Sequence, residues 1–517
     1  MTATPGHGPA TDAQGGAKPP WAAHLPAGTT PASVDLLAEA SLPRSWAARW
    51  AASPDHPVVF DDSTGWVSGD ELEARTAAIA GRYAAFGLEP GDRVLVSAGA
   101  SVDLVVAYVG ALRAGLVVLP ANTAYREREL AHLVRDARPR LAVVDDGERA
   151  SWLGATDPAL TVVGTDVALA PGPAPAWLDA AGPADPALLA YTSGTTGAPK
   201  GALLSHGNLL ASAEALRLAW RWAPEDRLVL PLPLFHLHGL GVGLHGTLHA
   251  GASVVLRPGF EADDSLDAMA THRASLFFGV PTIWARLAAS GRLAELRRLR
   301  LGVSGSAPLD AGLHAAIALG SGHRLIERYG MTETVMNVST PYDGDRRPGT
   351  VGLPLPRVEL RLAPGSDEIL LRGPNVFAGY WERPEANAEA FDDGWFRTGD
   401  VGALDPDGYL RIVGRSKDLI ISGGYNVYPR EVEDVVRAHP AVADVAVVGL
   451  PHPDWGEQVV AVVEGTEGPG DRAALVALAE QELAPYKRPK RWAWVEALPR
   501  NALGKVQKEQ VRALVAD

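Results

Sequence analysis

The pattern of apolar and polar positions predicts strands and helices that alternate through most of the chain. Short apolar runs, such as residues 94–96 and 141–144, are bounded by polar residues, and longer runs with helical spacing separate them. Residues 68–71, Ser-Gly-Asp-Glu, form a capping-box pattern that predicts a helix ending near Phe86. Strand, helix and strand at this spacing indicate βαβ units and a parallel sheet.

Further elements follow from the same pattern. Helices are predicted at 102–113, at 127–135, after Ser205, at 431–437 and at 472–482, and strands at 116–119, 228–230, 253–256, 276–280, 301–303, 324–326, 368–371, 410–413, 442–448 and 459–464. Several of these strands end at or near Gly, Pro or Ser. Because ligands of open α/β sheets bind beyond the carboxyl ends of strands, we expect a binding site there.

The pattern also divides the chain into segments. Residues 1–32 are rich in Gly, Pro, Ala and Thr and lack periodicity, which predicts a disordered tail. Residues 33–416 carry the alternation of strands and helices, and residues 417–517 form a smaller unit. We predict an α/β fold with a large N-terminal domain of mostly parallel sheets flanked by helices and a small α+β C-terminal domain.

Composition narrows the function without identifying it. The chain has 517 residues and a net charge of −14, from 47 basic and 61 acidic residues, which argues against nucleic acid or an anionic membrane as the main partner. It contains no cysteine, so disulfides, thiolate metal sites and a cysteine nucleophile are excluded. No apolar run is long enough to span a bilayer, and the N-terminus lacks a secretory pattern, so we predict a cytoplasmic protein.

The most particular stretch is residues 191–201, Tyr-Thr-Ser-Gly-Thr-Thr-Gly-Ala-Pro-Lys-Gly. Its glycines let the backbone approach a ligand closely, and its hydroxyls, amides and Lys200 suit phosphate oxygens. It is not the nucleotide P-loop pattern, because Lys200 follows a proline and is not followed by Ser or Thr. An ordinary Ser/Thr/Gly surface loop is the alternative, but the order of these eleven residues favours a phosphate-binding loop.

Four further motifs place polar residues at turns. In Tyr329-Gly-Met-Thr-Glu-Thr, Glu333 is a candidate ligand of Mg²⁺, which prefers one or two carboxylates with phosphate oxygens. Ser304-Gly-Ser-Ala-Pro is a second tight turn after a predicted strand. Asp400 stands at a glycine turn, where a carboxylate can accept both hydroxyls of a ribose. Lys505 follows a glycine turn, and such a lysine usually points to solvent.

Together these motifs resemble those of the adenylate-forming superfamily, which contains acyl-CoA synthetases, adenylation domains and luciferases. The resemblance covers about residues 35–510, and six motifs occur in the family's order, at residues 192–201, 304–308, 329–334, 398–400, 414–418 and 499–505. It implies an enzyme that uses ATP, Mg²⁺ and coenzyme A to activate a carboxylic acid, with release of AMP and pyrophosphate.

The resemblance implies a role for each residue that matches a family motif. The residues that would bind ATP are Thr192, Ser193, Gly194, Thr195, Thr196, Gly197, Lys200, Ser306, Ala307, Tyr329, Thr332, Asp400 and Arg415. Among them, Tyr329 would stack on adenine, and Asp400 and Arg415 would bind the ribose hydroxyls.

The same resemblance implies the catalytic groups. Thr332 and Glu333 would meet phosphate and Mg²⁺, and Lys505 would bridge the substrate carboxylate and the α-phosphate while the acid becomes a mixed anhydride with AMP. The CoA thiol must later enter where Lys505 stands, which is a physical reason for a mobile small domain. Lys417 would be its hinge, and the glycines Gly423 and Gly424 would line the pantetheine tunnel.

Arg328 indicates the class of acid. In relatives the residue at this place faces the acyl pocket and is commonly small or apolar, and a guanidinium there is costly unless it meets an anion. A second carboxylate on the substrate would satisfy it in a bidentate pair. The surrounding residues, 327–337, 339–345 and 233–240, resemble malonyl-CoA synthetases. The alternative is that Arg328 turns outward to Glu327 or Asp343 in a surface ion pair.

By the same resemblance, His236, Ser304 and Met336 line the acyl pocket. Met336 would stand where an α-methyl group projects, so the choice between malonate and methylmalonate stays open. Other interpretations also stay open: a CoA ligase for another short carboxylic acid, a stand-alone adenylation domain that loads a carrier protein, and a non-catalytic nucleotide sensor. Residues 486–490, Tyr-Lys-Arg-Pro-Lys, are candidates for binding the 3′-phosphate of CoA, or a solvated turn. Lys505 resembles the acetylation site of related synthetases, which predicts a lysine acetyltransferase as a regulatory partner.

Overall fold

Strands and helices alternate along the folded chain, as the apolar pattern predicts. The structure is a computed structural model, and it describes residues 18–166, 172–192, 199–422, 425–501 and 504–516. Its mixed α/β architecture, with a larger and a smaller compact unit, confirms the predicted fold class.

The described residues form fourteen α-helices. Their bounds are α1 Leu42–Ala52, α2 Gly69–Ala85, α3 Val102–Arg113, α4 Glu127–Ala137, α5 Gly147–Thr156, α6 His206–Trp220, α7 His245–Ala250, α8 Ala262–Thr271, α9 Pro281–Ala289, α10 Ala311–Ser321, α11 Pro384–Ala390, α12 Pro429–Arg437, α13 Asp471–Glu482 and α14 Lys508–Leu514. A π-helical segment, His238–Leu244, runs directly into α7. None of the helices in the described part of the chain is long and apolar enough to cross a membrane.

Strands connect these helices throughout the described chain. Their bounds are β1 Pro57–Asp61, β2 Gly65–Ser68, β3 Arg93–Ser97, β4 Val117–Pro120, β5 Leu141–Val144, β6 Thr161–Val163, β7 Pro186–Thr192, β8 Lys200–Ser205, β9 Arg227–Leu230, β10 Ser253–Leu256, β11 Leu276–Gly279, β12 Leu301–Ser304, β13 Ile326–Tyr329, β14 Val338–Ser339, β15 Leu353–Pro354, β16 Glu359–Leu362, β17 Glu368–Arg372, β18 Gly379–Tyr380, β19 Phe391–Asp392, β20 Trp395–Leu404, β21 Leu410–Arg415, β22 Ile420–Ser422, β23 Tyr425–Val427, β24 Val445–His452, β25 Gly456–Glu464 and β26 Arg491–Val495.

Most predicted elements are present within a few residues of their predicted bounds. The predicted capping box forms at the start of α2, where the Ser68 hydroxyl accepts from the Glu71 N–H and the Glu71 carboxylate accepts from the Ser68 N–H. The strands predicted at 324–326 and 442–448 begin later, as β13 and β24. Leu325 and Val442 precede these strands but are already buried. An apolar pattern does not distinguish a buried residue before a strand from the strand itself, so both predicted starts are too early.

Two sheets form the framework of the first compact unit, which contains Met1–Glu359 and Leu371–Phe396. The nine-stranded sheet has the order β15-β14-β13-β12-β11-β9-β10-β1-β2, and the strands from β13 to β1 in that order are parallel neighbours. The seven-stranded sheet has the order β18-β8-β7-β4-β3-β5-β6, and the strands from β7 to β6 are parallel. The predicted mostly parallel sheets are therefore present.

The order of the nine-stranded sheet brings two predicted motifs together. Parallel β12 and β13 are neighbours, with Ser304 paired to Glu327. Because the carboxyl ends of parallel strands meet at one edge of a sheet, the turn after Ser304 lies beside the turn after Tyr329.

The second compact unit contains Leu360–Leu370 and Arg397–Asp517. Its own five-stranded sheet has the order β23-β22-β25-β24, with β26 paired to β25. Alternate residues of β24 and β25 belong to two apolar clusters, one shared with α12 and α13 and the other with α14. A further sheet, β16-β17-β20-β19 with β21 paired to β20, contains the points where the chain passes between the units.

The division into units differs from the predicted boundary at residue 417. The longer segment of the second unit begins at Arg397 and not at residue 417, and it includes β21 together with most of β20, which are paired from Asp400 to Arg415. Pairing between two strands is a property of the fold that the local apolar pattern does not contain.

Residues 18–32, which the sequence predicts as part of a disordered tail, are packed into the first unit. Trp21 is 7% exposed, and His24 is buried with its Nε2 3.1 Å from the carbonyl oxygen of Leu353. Arg221 donates to the His24 carbonyl oxygen at 2.6 Å. The prediction is therefore wrong for this part of the tail. One tryptophan and a few backbone carbonyl groups anchor a segment that has no periodic pattern.

We expect Trp21→Ala to lower the free energy of unfolding of the first unit by about 3–5 kcal/mol, because it removes buried area and leaves a cavity. Urea unfolding followed by circular dichroism measures the change. Trp177→Ala is the matched control, since Trp177 is 36% exposed and its loss should change stability by about 0.5 kcal/mol or less. A Trp21→Ala midpoint equal to that of the wild type would show that the segment contributes no stability.

Candidate active site

A β-hairpin presents the predicted phosphate loop. Thr192 at the end of β7 pairs with Lys200 at the start of β8, and the Thr192 hydroxyl lies 3.4 Å from the Lys200 carbonyl oxygen. The predicted phosphate ligands within the loop lie outside the described residues: Ser193, Gly194, Thr195, Thr196 and Gly197. Their roles stay predictions, while the two flanking residues define the ends of the loop.

Contacts from outside the motif hold the ends of this hairpin. The Tyr191 hydroxyl donates to Asp136 Oδ2 at 2.6 Å, and Arg383 donates to the other oxygen of the same carboxylate. Burial, together with Asp136, raises the pKa of Tyr191 well above its usual range, so it stays a neutral donor. His132 Nε2 lies 3.2 Å from the Pro199 carbonyl oxygen, which ties α4 to the far end of the loop.

The turns beyond β12 and β13 form the predicted nucleotide side of the site. Ser306 has a φ of 69°, in the left-handed region, and Ala307 is exposed. Tyr329 ends β13 half-buried, with its hydroxyl 3.9 Å from the Met331 sulfur. Thr332 is partly exposed. Their positions at adjacent strand ends suit a nucleotide, and their individual roles stay predictions.

The predicted Mg²⁺ ligand, Glu333, is only 6% exposed. Its Oε1 accepts a hydrogen bond of 2.9 Å from the Tyr380 hydroxyl, and its carbonyl oxygen accepts from the Phe377 N–H at 2.9 Å. Lys200 lies over the ring of the same tyrosine, with Nζ 5.3 Å from the ring centroid. The structure thus brings the predicted phosphate lysine and the predicted metal carboxylate to one residue, Tyr380.

The donor chemistry around Glu333 fits Mg²⁺. In nucleotide sites this ion takes one or two protein carboxylates and completes its coordination with phosphate oxygens and water. A buried carboxylate oriented by a hydrogen bond can be such a ligand. No group of three or more His, Asp or Glu residues in the described chain offers a complete protein cage. Glu333 would therefore hold Mg²⁺ together with ATP, whose phosphate charge the ion neutralises.

Arg328 is buried in β13, with 6% of its surface exposed, and forms no ion pair with any described residue. Its guanidinium packs on Gly305 and has one long contact, 3.5 Å from Nη2 to the Ser306 hydroxyl. Burial lowers the pKa of Arg328 to about 9, so the charge is retained at pH 7. Neither alternative ion pair, with Glu327 or with Asp343, is formed in the described chain, and Asp343 instead pairs with Arg221 at 2.7 Å.

His238, which the sequence does not single out, lies beside Arg328. Its Nδ1 is 3.2 Å from the Ser306 hydroxyl, and its Nε2 is buried without a hydrogen-bond partner among the described residues. Burial, followed by the charges of Arg328 and His236, lowers the pKa of His238 well below its usual range, so the ring is neutral at pH 7. The buried hydroxyl of Ser304 likewise lacks a partner in this part of the chain. A buried polar group with unused hydrogen-bonding capacity needs a partner, and two such groups beside Arg328 would suit a polar ligand there.

The other two predicted pocket residues differ in their surroundings. His236 is half-buried, and its Nδ1 accepts from the His238 N–H at 3.1 Å. Met336 is buried, and its sulfur packs on Gly330. The hydrogen bond between His238 and His236 helps to order the His-Leu-His turn.

A strained turn carries Met336. Val335 has a φ of 55°, which a β-branched residue rarely adopts. Asn375 holds the turn, because its Nδ2 lies within hydrogen-bond distance of three acceptors for its two N–H groups: the carbonyl oxygens of Thr334 and Met336 at 2.9 Å each and Asn337 Oδ1 at 3.0 Å. The position of Met336 therefore depends on an asparagine that is distant in sequence but in direct contact with the turn.

In the second unit, the pairing of β20 with β21 places Asp400 opposite Arg415. Arg415 Nε lies 2.8 Å from Asp400 Oδ1, and the Thr398 hydroxyl accepts from the Asp400 N–H at 3.1 Å. The two predicted ribose ligands are therefore neighbours, and their contact with ribose stays a prediction. The predicted tunnel residues, Gly423 and Gly424, lie outside the described residues.

Lys505, the predicted catalytic lysine, lies within the electrostatic reach of this ion pair in the second unit. The positive charge of Arg415, followed by burial, lowers the pKa of Lys505 to about 8, and Asp400 acts in the opposite direction. Because the Lys505 residue is exposed, repulsion by Arg415 is the stronger physical cause. The predicted hinge, Lys417, is also exposed and adds to the lowering. The structure thus brings these four residues together.

Three residues of the candidate site are not predicted from the sequence: Tyr380, Asn375 and His238. The first two lie in residues 373–381, Gly-Pro-Asn-Val-Phe-Ala-Gly-Tyr-Trp, where the density of glycine, proline and aromatic residues is the one signal. His238 follows His236 by two positions, and this His-Leu-His spacing is a weak signal of its own.

Two ranges of the chain match models of known protein families. Residues 46–381 match the model of the AMP-binding enzyme family, and residues 431–505 match the model of the AMP-binding enzyme C-terminal domain. The first range contains the hairpin and both strand-end turns, and the second ends at Lys505.

Individual relatives are similar over most of the chain. ATP-bound MatB from Rhodopseudomonas palustris is similar with a TM-score of 0.85 and 42% identity, covering 92% of this chain and 99% of that chain. A malonate–CoA ligase from Arabidopsis thaliana is 35% identical, covering 83% of this chain and 79% of the relative. A sulfoacetate–CoA ligase from Cupriavidus necator is 38% identical, covering 93% and 98%. A feruloyl-CoA synthase from Amycolatopsis sp is 36% identical, covering 90% and 98%. The acids named for these relatives therefore differ.

We expect the Lys505 amine to react at lower pH than an ordinary lysine. Only the neutral amine attacks an acylating reagent, and a pKa of about 8 places the midpoint of its reactivity near pH 8 in the ligand-free protein. Mass spectrometry after brief labelling with acetic anhydride over a series of pH values measures this midpoint.

Arg415→Met should move the midpoint upward, because it removes the main repelling charge. Arg411→Met is the matched control on the same strand, and it should leave the midpoint in place. A midpoint that is the same in Arg415→Met and in the wild type would contradict this explanation.

Proposed function

The chain belongs to the AMP-binding enzyme family, and on that premise we propose that it is a CoA ligase for malonate and methylmalonate. As an AMP-forming CoA ligase it uses ATP, Mg²⁺ and coenzyme A, and it forms an acyl-adenylate before the thioester. One observation carries the choice of acid: Arg328 is buried without an ionic partner among the described residues.

A buried guanidinium without an anion is costly, because the charge has lost its water and gained no partner. The 3.5 Å contact with Ser306 does not replace an anion, since charge-assisted hydrogen bonds of arginine are about 2.7–2.9 Å long. A second carboxylate at the far end of a short acid would supply that partner in a bidentate pair. The cost in the ligand-free protein supports an anionic substrate group at Arg328.

His238 and Ser304 support the same class of acid. With its proton on Nε2, His238 would accept a hydrogen bond from Ser306 and donate one to the second carboxylate. The buried Ser304 hydroxyl has a donor available as well. A neutral alkyl or aryl tail would leave these groups unsatisfied, and a site built to hydrogen-bond a substrate group rejects analogues that lack it.

The relatives support the proposal in part. Malonate and sulfoacetate each carry an anionic group besides the carboxylate to be activated, whereas ferulate does not. Sulfoacetate is the second candidate, because the oxygens of a sulfonate can also accept from a guanidinium and a sulfoacetate–CoA ligase is 38% identical to this chain.

In the first half-reaction, a carboxylate oxygen of the acid attacks the α-phosphorus of ATP, and the bond to the bridging oxygen breaks so that pyrophosphate leaves. We infer that Lys505 relieves the repulsion between the two anions and that Lys200 holds the departing phosphates. In the second half-reaction, the CoA sulfur attacks the acyl carbon after losing its proton, and AMP leaves. Lys505 and the thiol need the same place, so the C-terminal domain would turn about Lys417 between the steps.

The basic run at 486–490 gives little support to a 3′-phosphate site. Lys487 pairs with Glu431 at 2.6 Å, while Arg488 and Lys490 donate to backbone carbonyl oxygens. These contacts favour a structural role for the run. CoA as the acceptor therefore rests on the family and not on this run.

We expect Arg328→Met to lower kcat/KM for malonate by about 30-fold to 5,000-fold, or about 2–5 kcal/mol, the scale for truncating one partner of a buried charge pair. Activity on propionate and butyrate should rise, because the pocket gains an apolar wall. A CoA-dependent assay of AMP release across acetate, propionate, butyrate, malonate, methylmalonate, sulfoacetate and benzoate measures both effects.

Two further measurements make this test specific. Arg324→Met changes an exposed arginine four residues earlier and should leave malonate kinetics unchanged. Arg328→Met should also raise the free energy of unfolding without acid, because it removes an unpaired buried charge. Unchanged malonate kinetics, or a strongly destabilised Arg328→Met protein, would refute the role of Arg328. A higher kcat/KM for sulfoacetate than for malonate would favour the second candidate.

We expect Lys505→Ala to abolish ATP–pyrophosphate exchange and to spare thioester formation from supplied malonyl-adenylate, because the lysine acts only where two anions meet. Lys508→Ala is the matched control, since Lys508 pairs with Glu433 at 2.7 Å and both half-reactions should survive its loss. Equal losses in the two half-reactions of Lys505→Ala would show that this division of labour is wrong.

A further inference from the structure

The segment 373–381 connects the parts of the candidate site that lie in the first unit. It contains β18, which pairs with β8, and its Trp381 N–H donates to the Gly201 carbonyl oxygen at 2.8 Å. The Asn208 side chain, near the start of α6, donates to two backbone carbonyl oxygens of the segment at 2.8 and 2.9 Å. The segment is therefore anchored to the strand and the helix that follow the phosphate loop.

The same segment holds the turn that contains Glu333. The Phe377 N–H donates to the Glu333 carbonyl oxygen, and the Tyr380 hydroxyl donates to Glu333 Oε1, both at 2.9 Å. The Phe377 ring stands edge-on to the Tyr380 ring, with centroids 4.9 Å apart, which limits how the tyrosine can rotate. Lys200 Nζ lies 5.3 Å from the centroid of that ring. One tyrosine thus contacts a carboxylate with its hydroxyl and an ammonium group with its ring.

These two contacts restrict where the charged groups stand. Glu333 is almost fully removed from solvent, and the Tyr380 hydrogen bond to Oε1 restrains the orientation of its carboxylate. The face of an aromatic ring attracts a cation, so the same ring restricts the position of Lys200. The separation of Lys200 and Glu333 therefore depends on a side chain that belongs to neither motif.

We propose that Tyr380 is a positioning residue for the adenylation half-reaction, which holds Glu333 and Lys200 at the separation that ATP with Mg²⁺ requires. Its action passes through these two side chains. The inference rests on the proposed ATP-binding roles of Lys200 and Glu333, and it does not depend on which acid is activated.

Tyr380→Phe removes the hydroxyl and keeps the ring. We expect the Mg²⁺ concentration for half-maximal ATP binding to rise about tenfold to hundredfold, the scale for losing a hydrogen bond to a charged group, with little change in melting temperature. Isothermal titration calorimetry of ATP into the full chain over a series of MgCl₂ concentrations measures it, without acid or CoA. Excess Mg²⁺ should restore ATP–pyrophosphate exchange, and thioester formation from supplied acyl-adenylate should equal that of the wild type.

Two more variants complete the design. Tyr380→Leu also removes the ring and should weaken ATP binding even at saturating Mg²⁺, because Lys200 loses its contact. Tyr83→Phe is the matched control: the Tyr83 hydroxyl donates to the Ala107 carbonyl oxygen at 3.0 Å between α2 and α3, and the variant should bind ATP like the wild type.

The outcome with Glu333→Gln separates the inference from its premise. If Tyr380→Phe needs the same Mg²⁺ concentration as the wild type for half-maximal ATP binding, while Glu333→Gln needs a higher one, the positioning role of Tyr380 alone is overturned. A wild-type dependence in both variants would overturn the role of Glu333 in Mg²⁺ binding and this inference with it. Neither outcome changes with the identity of the acid.

Discussion

The candidate site depends on the pairing of two parallel strands, β12 and β13. Their register sets Ser304 beside Glu327, and this brings the turn after Ser304 against the guanidinium of Arg328. Side chains alternate along a strand, so a slip of one residue would exchange Arg328 with its neighbour Glu327. Both residues are buried, as expected for a strand covered on its two faces, and the burial makes the register strongly specified.

Two cations of the site have lowered pKa values for different physical reasons. Arg328 has lost its water, so burial destabilises its charge, whereas Lys505 is destabilised mainly by the charge of Arg415. A substrate anion would relieve the first cost, and a phosphate group would relieve the second. The protein thus keeps charges in unfavourable places where an anionic ligand would stabilise them. Such sites commonly lower the stability of the ligand-free protein in exchange for function.

The segment 373–381 shows how groups from separate motifs are held in one arrangement. Asn375 restrains the strained turn at Val335, Tyr380 contacts Glu333 and Lys200, and Trp381 binds the backbone of β8. Each contact joins parts of the chain that are distant in sequence. Reacting groups that are fixed before the ligand arrives do not have to be reorganised during the reaction, so the segment supports the site without matching any of its motifs.

Most helices and strands, such as the helix Val102–Arg113, follow from the amino-acid sequence alone, because the spacing of apolar side chains is a local property. The sequence also indicates the family and singles out Arg328, since both follow from motifs read in order. Three features are visible only in the folded chain: residues 18–32 are packed, Asp343 pairs with Arg221, and Tyr380 contacts Glu333. These outcomes depend on burial and on hydrogen-bond partners, which are set by what distant parts of the chain place nearby and which no local pattern encodes.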